Sequence, residues 1–146
     1  MDLETSLAPQ RVRAALLDFS ERRPEIWPGI EPSLYEVYSV GETEAEIREG
    51  TKLPWTRVWA REHYEWPDPN KIRWTVMESN FSATGSYVEA ALAPRNGGGT
   101  KVHVVWNREG STLLGKLVVR LIAAAKGKPV ADSMKKAFDK LERQGG

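Results

Sequence analysis

Two glutamates and a tyrosine stand out on segments that are otherwise apolar on one side. In an extended stretch over 56–66, the residues sharing a face are Val58, Ala60, Glu62, Tyr64 and Trp66. Over 71–79 the same count gives Ile72, Trp74, Val76 and Glu78, with Arg73 turned outward. A carboxylate among apolar neighbours is costly unless paired, so Glu62 and Glu78 are candidates for ligand binding or acid–base work. A buried glutamate beside Tyr64 would suit enolisation of a ketone. The plainer alternatives are a solvated strand end for Glu78 and an irregular register for Glu62.

Other chemistries find little support. His63 and His103 are the only histidines, both fall on the opposite faces of their strands, and there is no cysteine. No His-x-x-x-His or comparable spacing supplies converging ligands, so no metal site and no cofactor is expected. Thiol nucleophiles and disulfides are excluded outright. No Gly-x-Ser-x-Gly occurs, which argues against a serine hydrolase. Asn96-Gly97-Gly98-Gly99-Thr100 joins two strands instead of opening a helix and lacks the ending of a phosphate loop. It reads as a hairpin that could shape a cavity entrance.

The elements that must position these residues follow from periodicity. Leu3–Leu7 is a short strand candidate, and Pro9 suits the first turn of a helix carrying Val12, Leu16, Leu17 and Phe19. Glu25-Ile26-Trp27 reads as a second short helix, ended by Pro28-Gly29. Six strand candidates follow: 34–40, 44–49, 56–66, 71–79, 86–94 and 100–107. Their short connections favour antiparallel hairpins. Then Leu114, Leu117, Val118, Leu121, Ile122 and Ala125 form a helical apolar stripe. Gly127-Lys128-Pro129 should kink or break it. Val130, Met134, Ala137, Phe138 and Leu141 resume the pattern in another phase, and the first stripe is expected to be the more deeply buried.

The class is therefore α+β, a curved antiparallel sheet of six to seven strands wrapped around a long C-terminal helix. Such a space is hard to fill, so a cavity is expected. Its walls would come from Val58, Trp66, Trp74, Val76, Val88, Ala90, Leu92, Val104 and Trp106, with Leu117 and Leu121 from the helix. The same residues could instead form a fully packed core. Trp27 and Trp55 sit beside prolines and are expected to plug the sheet's open end rather than lie exposed.

Length and composition bound the rest. The chain has 146 residues, 40% hydrophobic and 28% charged, which fits one globular domain over 1–146. Acids outnumber bases over 1–50 and bases outnumber acids over 111–146. Without clustered aromatics, the basic end reads as a solvated face, and nucleic acid is not an expected partner. The segment 117–125 is too short to span a bilayer and contains Arg120, so stable membrane insertion is not expected either. A membrane-surface role for this helix is set aside because the sheet needs a cover. The N-terminus has no signal-peptide pattern, and a cytoplasmic location is expected. Nothing in the sequence specifies an oligomeric state.

Ala8-Pro9-Gln10-Arg11-Val12 resembles the start of the first helix in the START-like (SRPBCC) superfamily of polyketide cyclases and lipid-transport proteins. Trp27-Pro28-Gly29 is similar to a tryptophan–proline turn of that family. Leu92-Ala93-Pro94, followed by Gly98-Gly99-Thr100-Lys101-Val102, resembles its hairpin before the last strand. The resemblance extends over nearly the whole chain and lies in the order of these weak motifs. It implies a helix-grip fold with a hydrophobic cavity between sheet and C-terminal helix. The implied function is binding or transfer of a small hydrophobic ligand such as a lipid, polyketide or aromatic molecule. A polyketide cyclase or dehydratase using Glu62, Tyr64 and Glu78 is the alternative, and a ligand-free protein-interaction module is a third.

Overall fold

The computed structural model describes residues 1–107, 109–110, 112–124 and 128–144. Strand β1 (Asp2–Thr5) leads into helices α1 (Pro9–Leu16) and α2 (Arg23–Ile26) and a single 3-10 turn at Pro32–Leu34. Strands β2 (Glu36–Val40), β3 (Glu44–Lys52), β4 (Arg57–Glu65), β5 (Lys71–Ser79), β6 (Tyr87–Pro94) and β7 (Thr100–Asn107) follow. Helices α3 (Leu113–Ala124) and α4 (Lys128–Arg143) close the chain. The sheet has seven strands in the order β1-β7-β6-β5-β4-β3-β2. Every pairing is antiparallel. This is the expected helix-grip architecture, with the two short helices inserted after the first strand.

Alternation along the strands sorts the sheet into two faces. Ala45, Ile47, Ile72, Val88, Ala90, Leu92, Val102 and Val104 point inward and are buried. Outward residues carry charge, as in Arg61–Glu46 and Arg73–Glu89. The two histidines lie on this outer side, His63 beside Glu44 and His103 beside Asp2. The inner face packs against Val12, Ala15 and Leu16 of α1 and against Met134, Ala137 and Phe138 of α4. Trp27 meets the Phe138 ring edge-on at 5.9 Å, and its indole N–H donates to the Ala15 carbonyl at 3.1 Å. It plugs the packed end as expected. Trp55 does not: it is 65% exposed at the tip of the β3–β4 hairpin.

Three departures from the sequence reading bear on the site. First, β3 does not stop at Glu49 but continues to Lys52, straight through Gly50. Gly50 is there for closeness rather than for turning, because a Cβ would lie 2.7 Å from the Val58 carbonyl and 2.8 Å from the Leu34 side chain.

Second, β4 and β5 pair as Glu62↔Val76 and then as Arg61↔Glu78. Met77 is therefore an extra residue, a β-bulge, and beyond it the alternation inverts. Glu78 turns to the exposed outer face opposite Arg61. A similar irregularity, between Val37 and Ser39, makes Tyr38 the extra residue of β2.

Third, the expected burial of the two C-terminal segments is reversed. Phe138 and Ala137 of α4 are fully buried, whereas Leu117 and Leu121 of α3 are 53% and 59% exposed and Leu113 is 89% exposed. The cause lies in what anchors each helix. α4 is tied to the N-terminal elements: the Thr5 hydroxyl and Ser6 N–H donate to Glu142, and Lys140 Nζ donates to the Glu25 carbonyl. α4 thereby takes the covering position that the sheet requires. The side chains of Leu114, Ile122 and Val130, and residues 125–127, lie outside the described residues.

At the other end, β1 pairs with β7 from Asp2↔His103 to Thr5↔Thr100. Its strand ends two residues earlier than the sequence suggests, at Thr5. Gly99 permits the junction, since its φ is +91° and a Cβ there would meet the Thr5 carbonyl at 2.3 Å.

Candidate functional site

A cavity of about 580 Å³ lies between the inner face of the sheet, α2 and the two C-terminal helices. Its apolar wall includes Trp27, Val58, Trp74, Phe81 and Met134, and Leu53, Trp55 and Leu121 stand at its rim. A second lobe of about 230 Å³ extends along the sheet to Val88 and Trp106. The lobes share Glu49, Val58, Trp74 and Phe81, so together they form one bent space.

The inner end of this space is polar, and it is built around a buried arginine. Pro24 sets the first turn of α2 and places Arg23 at its start. The connection from α1 wraps around the guanidinium, whose Nη1 donates to the Leu16 and Asp18 carbonyls at 2.9 Å each. Nε donates to Glu49, and Nη2 donates to the Tyr64 hydroxyl at 3.1 Å. The Tyr64 hydroxyl in turn donates to the second oxygen of Glu49 at 3.1 Å. Phe19 and Tyr64 lie 5.0 and 5.3 Å from the guanidinium carbon, within cation–π range. The Tyr64 ring stacks on Trp74 with centroids 5.3 Å apart.

The electrostatics follow from this closure. Burial disfavours the Arg23 charge, but Glu49 and Tyr64 outweigh that cost and hold the guanidinium more firmly protonated than usual. Burial, with the Glu49 charge adding to it and Arg23 opposing, pushes the Tyr64 phenol well above its ordinary range. Tyr64 is a neutral hydroxyl with both its donor and acceptor roles engaged. That makes it a structural link rather than the ready acid or base of the sequence reading.

The candidate wall residues divide. Val58, Trp74 and Leu121 border the larger lobe, and Val88, Trp106 and Glu62 border the smaller one. Glu62 is inward and only 3% exposed, so the regular register holds at that position. Val76, Ala90, Leu92 and Val104 are buried but border neither lobe. Trp66 stacks on Phe19 at 5.9 Å, and Leu117 is turned to solvent; neither borders either lobe. Glu78 leaves the candidate set because of the Met77 bulge. Sequence reasoning missed Arg23 and Glu49. The signal for Glu49 was present, since Ala45, Ile47 and Glu49 alternate onto one face within the expected strand 44–49. Among the described residues, no group of three or more His, Cys, Asp or Glu side chains could hold a metal ion. None of the described helices is long and apolar enough to cross a membrane.

No family model and no curated protein sequence matches the chain. Solved structures do match it. A protein of Thermus thermophilus superposes with a TM-score of 0.79 at 20% identity, over 100% of this chain and 97% of the other. A START superfamily protein from Mycobacterium smegmatis gives 0.77 at 13% identity, covering 97% and 96%. The Zhui aromatase/cyclase from a Streptomyces species gives 0.77 at 11% identity, covering 100% and 96%. At such identities the likeness is one of fold: the chain has the helix-grip fold of START-like proteins.

Proposed function

We propose that the protein binds a small hydrophobic molecule in the bent cavity and holds or transfers it. The observation that carries this reading is the cavity itself, about 580 Å³ with an aromatic and aliphatic wall. That volume lies within the range of small-molecule sites, which are mostly apolar with a few placed polar groups. The Arg23–Glu49–Tyr64 cluster supplies those groups. Native mass spectrometry of protein purified from its own host tests the proposal. A copurified lipid, polyketide or aromatic molecule is expected, lost when Val58→Trp fills the wall. A preparation free of small molecules, together with unchanged tryptophan fluorescence across a panel of hydrophobic compounds, would overturn it.

A catalytic reading draws support from one residue, Glu62, which is buried on the wall of the smaller lobe. In that reading Glu62 moves a proton on a bound polyketone while the cavity holds the chain folded. Glu62→Gln would then abolish turnover and leave binding intact. Equal turnover in the variant would end the proposal.

A further inference from the structure

Glu49 is the charged side chain that borders both lobes, and its partners leave it facing the ligand space as an acceptor. One oxygen accepts from Arg23 Nε and the other from the Tyr64 hydroxyl. A carboxylate has about four lone-pair positions, so about two remain. The Glu49 side chain keeps 17% exposure, against 4% for Arg23.

Arg23 is mostly engaged within the protein. Four of its five N–H groups donate to Glu49, Leu16, Asp18 and Tyr64, which leaves one N–H of Nη2. Its positive charge is matched by Glu49, the more exposed of the two where both border the larger lobe. The Thr51 hydroxyl on this stretch of wall has its proton engaged, since Thr51 Oγ1 donates to the Gly29 carbonyl at 3.0 Å, and Ser133 adds a further hydroxyl to the larger lobe. A ligand reaching this end therefore meets a carboxylate with about two free acceptor positions, beside a more deeply buried guanidinium whose charge that carboxylate already matches.

We infer that the cavity selects neutral hydrophobic molecules carrying a hydroxyl, a phenol or an alcohol, which donates to Glu49, and that it rejects molecules ending in a carboxylate. This rests on the hydrophobic-ligand reading above and names its class. A hydrogen bond from a neutral donor to an ionised acceptor is among the stronger kinds. A ligand without a donor leaves the Glu49 lone pairs stripped of water and unmatched, which is the costly outcome. A carboxylate ligand adds a second negative charge at short range in a space of low dielectric. Glu62 in the smaller lobe places a second carboxylate on the wall.

The test uses the wild-type protein and three compounds of one shape: 4-heptylphenol, 4-heptylanisole and 4-heptylbenzoate. Affinities are measured by calorimetry at neutral pH, with tryptophan fluorescence as a second readout. The phenol should bind about tenfold or more tightly than the anisole, the expected effect of one charge-assisted hydrogen bond. The benzoate should bind most weakly. Equal affinities for phenol and anisole, or a benzoate that binds as well as the phenol, would overturn the assignment while leaving the hydrophobic-ligand reading in place. Failure of all three to bind would overturn both. Glu49→Gln should narrow the gap between phenol and benzoate. Should that variant fail to fold because Arg23 loses its counter-charge, the wild-type series decides alone.

Discussion

The Arg23 guanidinium donates to the Tyr64 hydroxyl at 3.1 Å, joining a four-residue helix to the middle of the sheet through two buried side chains. α2 is too short to hold itself together, because helix nucleation is costly and only a few residues repay it. Its position comes from this arginine, which connects the α1–α2 backbone to β3 and β4. The same contact fixes the polar end of the cavity. Stability and the proposed ligand recognition thus meet at the Arg23–Glu49 pair.

Removing that charge should be expensive. Arg23→Met leaves Glu49 without a counter-charge and deprives the Leu16 and Asp18 carbonyls of their donors. A loss of about 3–5 kcal/mol is expected for breaking such a pair. Replacing both members, with Arg23→Met and Glu49→Leu together, should recover much of it, since no orphaned charge remains. Urea unfolding of the two variants checks both outcomes. A single variant as stable as the wild type would show that the arginine does not hold α2.

Alkaline conditions should weaken the fold through its tyrosines. Tyr64 is held well above its ordinary range mainly by burial, and burial also pushes Tyr35 up to about 12, with Arg23 opposing. A raised pKa means that the folded state keeps its proton more tightly than the unfolded chain. The associated stability is complete below the unfolded value near 10 and is lost as pH rises toward the folded values. Unfolding midpoints should therefore fall from about pH 10 upward. Tyr64→Phe should flatten that fall, although it costs the two hydrogen bonds at neutral pH. A variant with the same alkaline slope as the wild type would rule Tyr64 out as its source.

The two C-terminal helices should respond differently to substitution. Phe138→Ala in α4 opens the packed core and should cost about 3–5 kcal/mol. Leu117→Lys on the exposed side of α3 should change stability by no more than about 0.5 kcal/mol. Thermal unfolding of the pair checks the reversed burial directly. A large loss from the Leu117 variant would place α3 back in the core.

Acid should loosen the attachment of α4 to β1. The Thr5 hydroxyl, and then the Ser6 N–H, hold the Glu142 carboxyl below its usual value. A lowered pKa gives stability that is present above the unfolded value and lost as pH falls through the folded one. The Ser6 amide should be protected from hydrogen exchange near neutrality and lose protection below the ordinary carboxylate range. Glu142→Gln should show the reduced protection at every pH. Because Glu142 is only half-buried, the effect on global stability should be small.

Much of the fold was legible because its strands alternate cleanly. The limits of β5 and β7 follow from Lys71–Ser79 and Thr100–Asn107 as read, and Glu62 falls on the inner face as counted. What stayed hidden was decided by tertiary contact. The Met77 bulge has no glycine or proline to announce it, so Glu78 was assigned to the wrong face. A glycine directly after 44–49 marks a strand end by local signals, but the missing side chain of Gly50 instead makes room for Leu34. Arg23 sits in a short charged run, Arg22-Arg23-Pro24-Glu25, where nothing local separates the buried guanidinium from its exposed neighbour. Likewise, the more apolar composition of the first C-terminal stripe points to α3 as the cover, and only the ties of α4 to the N-terminal elements decide otherwise.

The extra residue at Tyr38 bears on how molecules behave toward one another. β2 is an outer strand of the sheet and all five of its residues are exposed, Val37 and Val40 among them. A straight strand of that kind would offer its free backbone groups to a neighbouring chain, the usual start of edge-to-edge aggregation. The bulge breaks the even spacing of those groups, and Tyr38 turns its ring under the Arg61 guanidinium at 4.1 Å. At the opposite edge β1 has only four residues, with Glu142 tied to its end. Each border of the open sheet is thus a poor template for adding another strand.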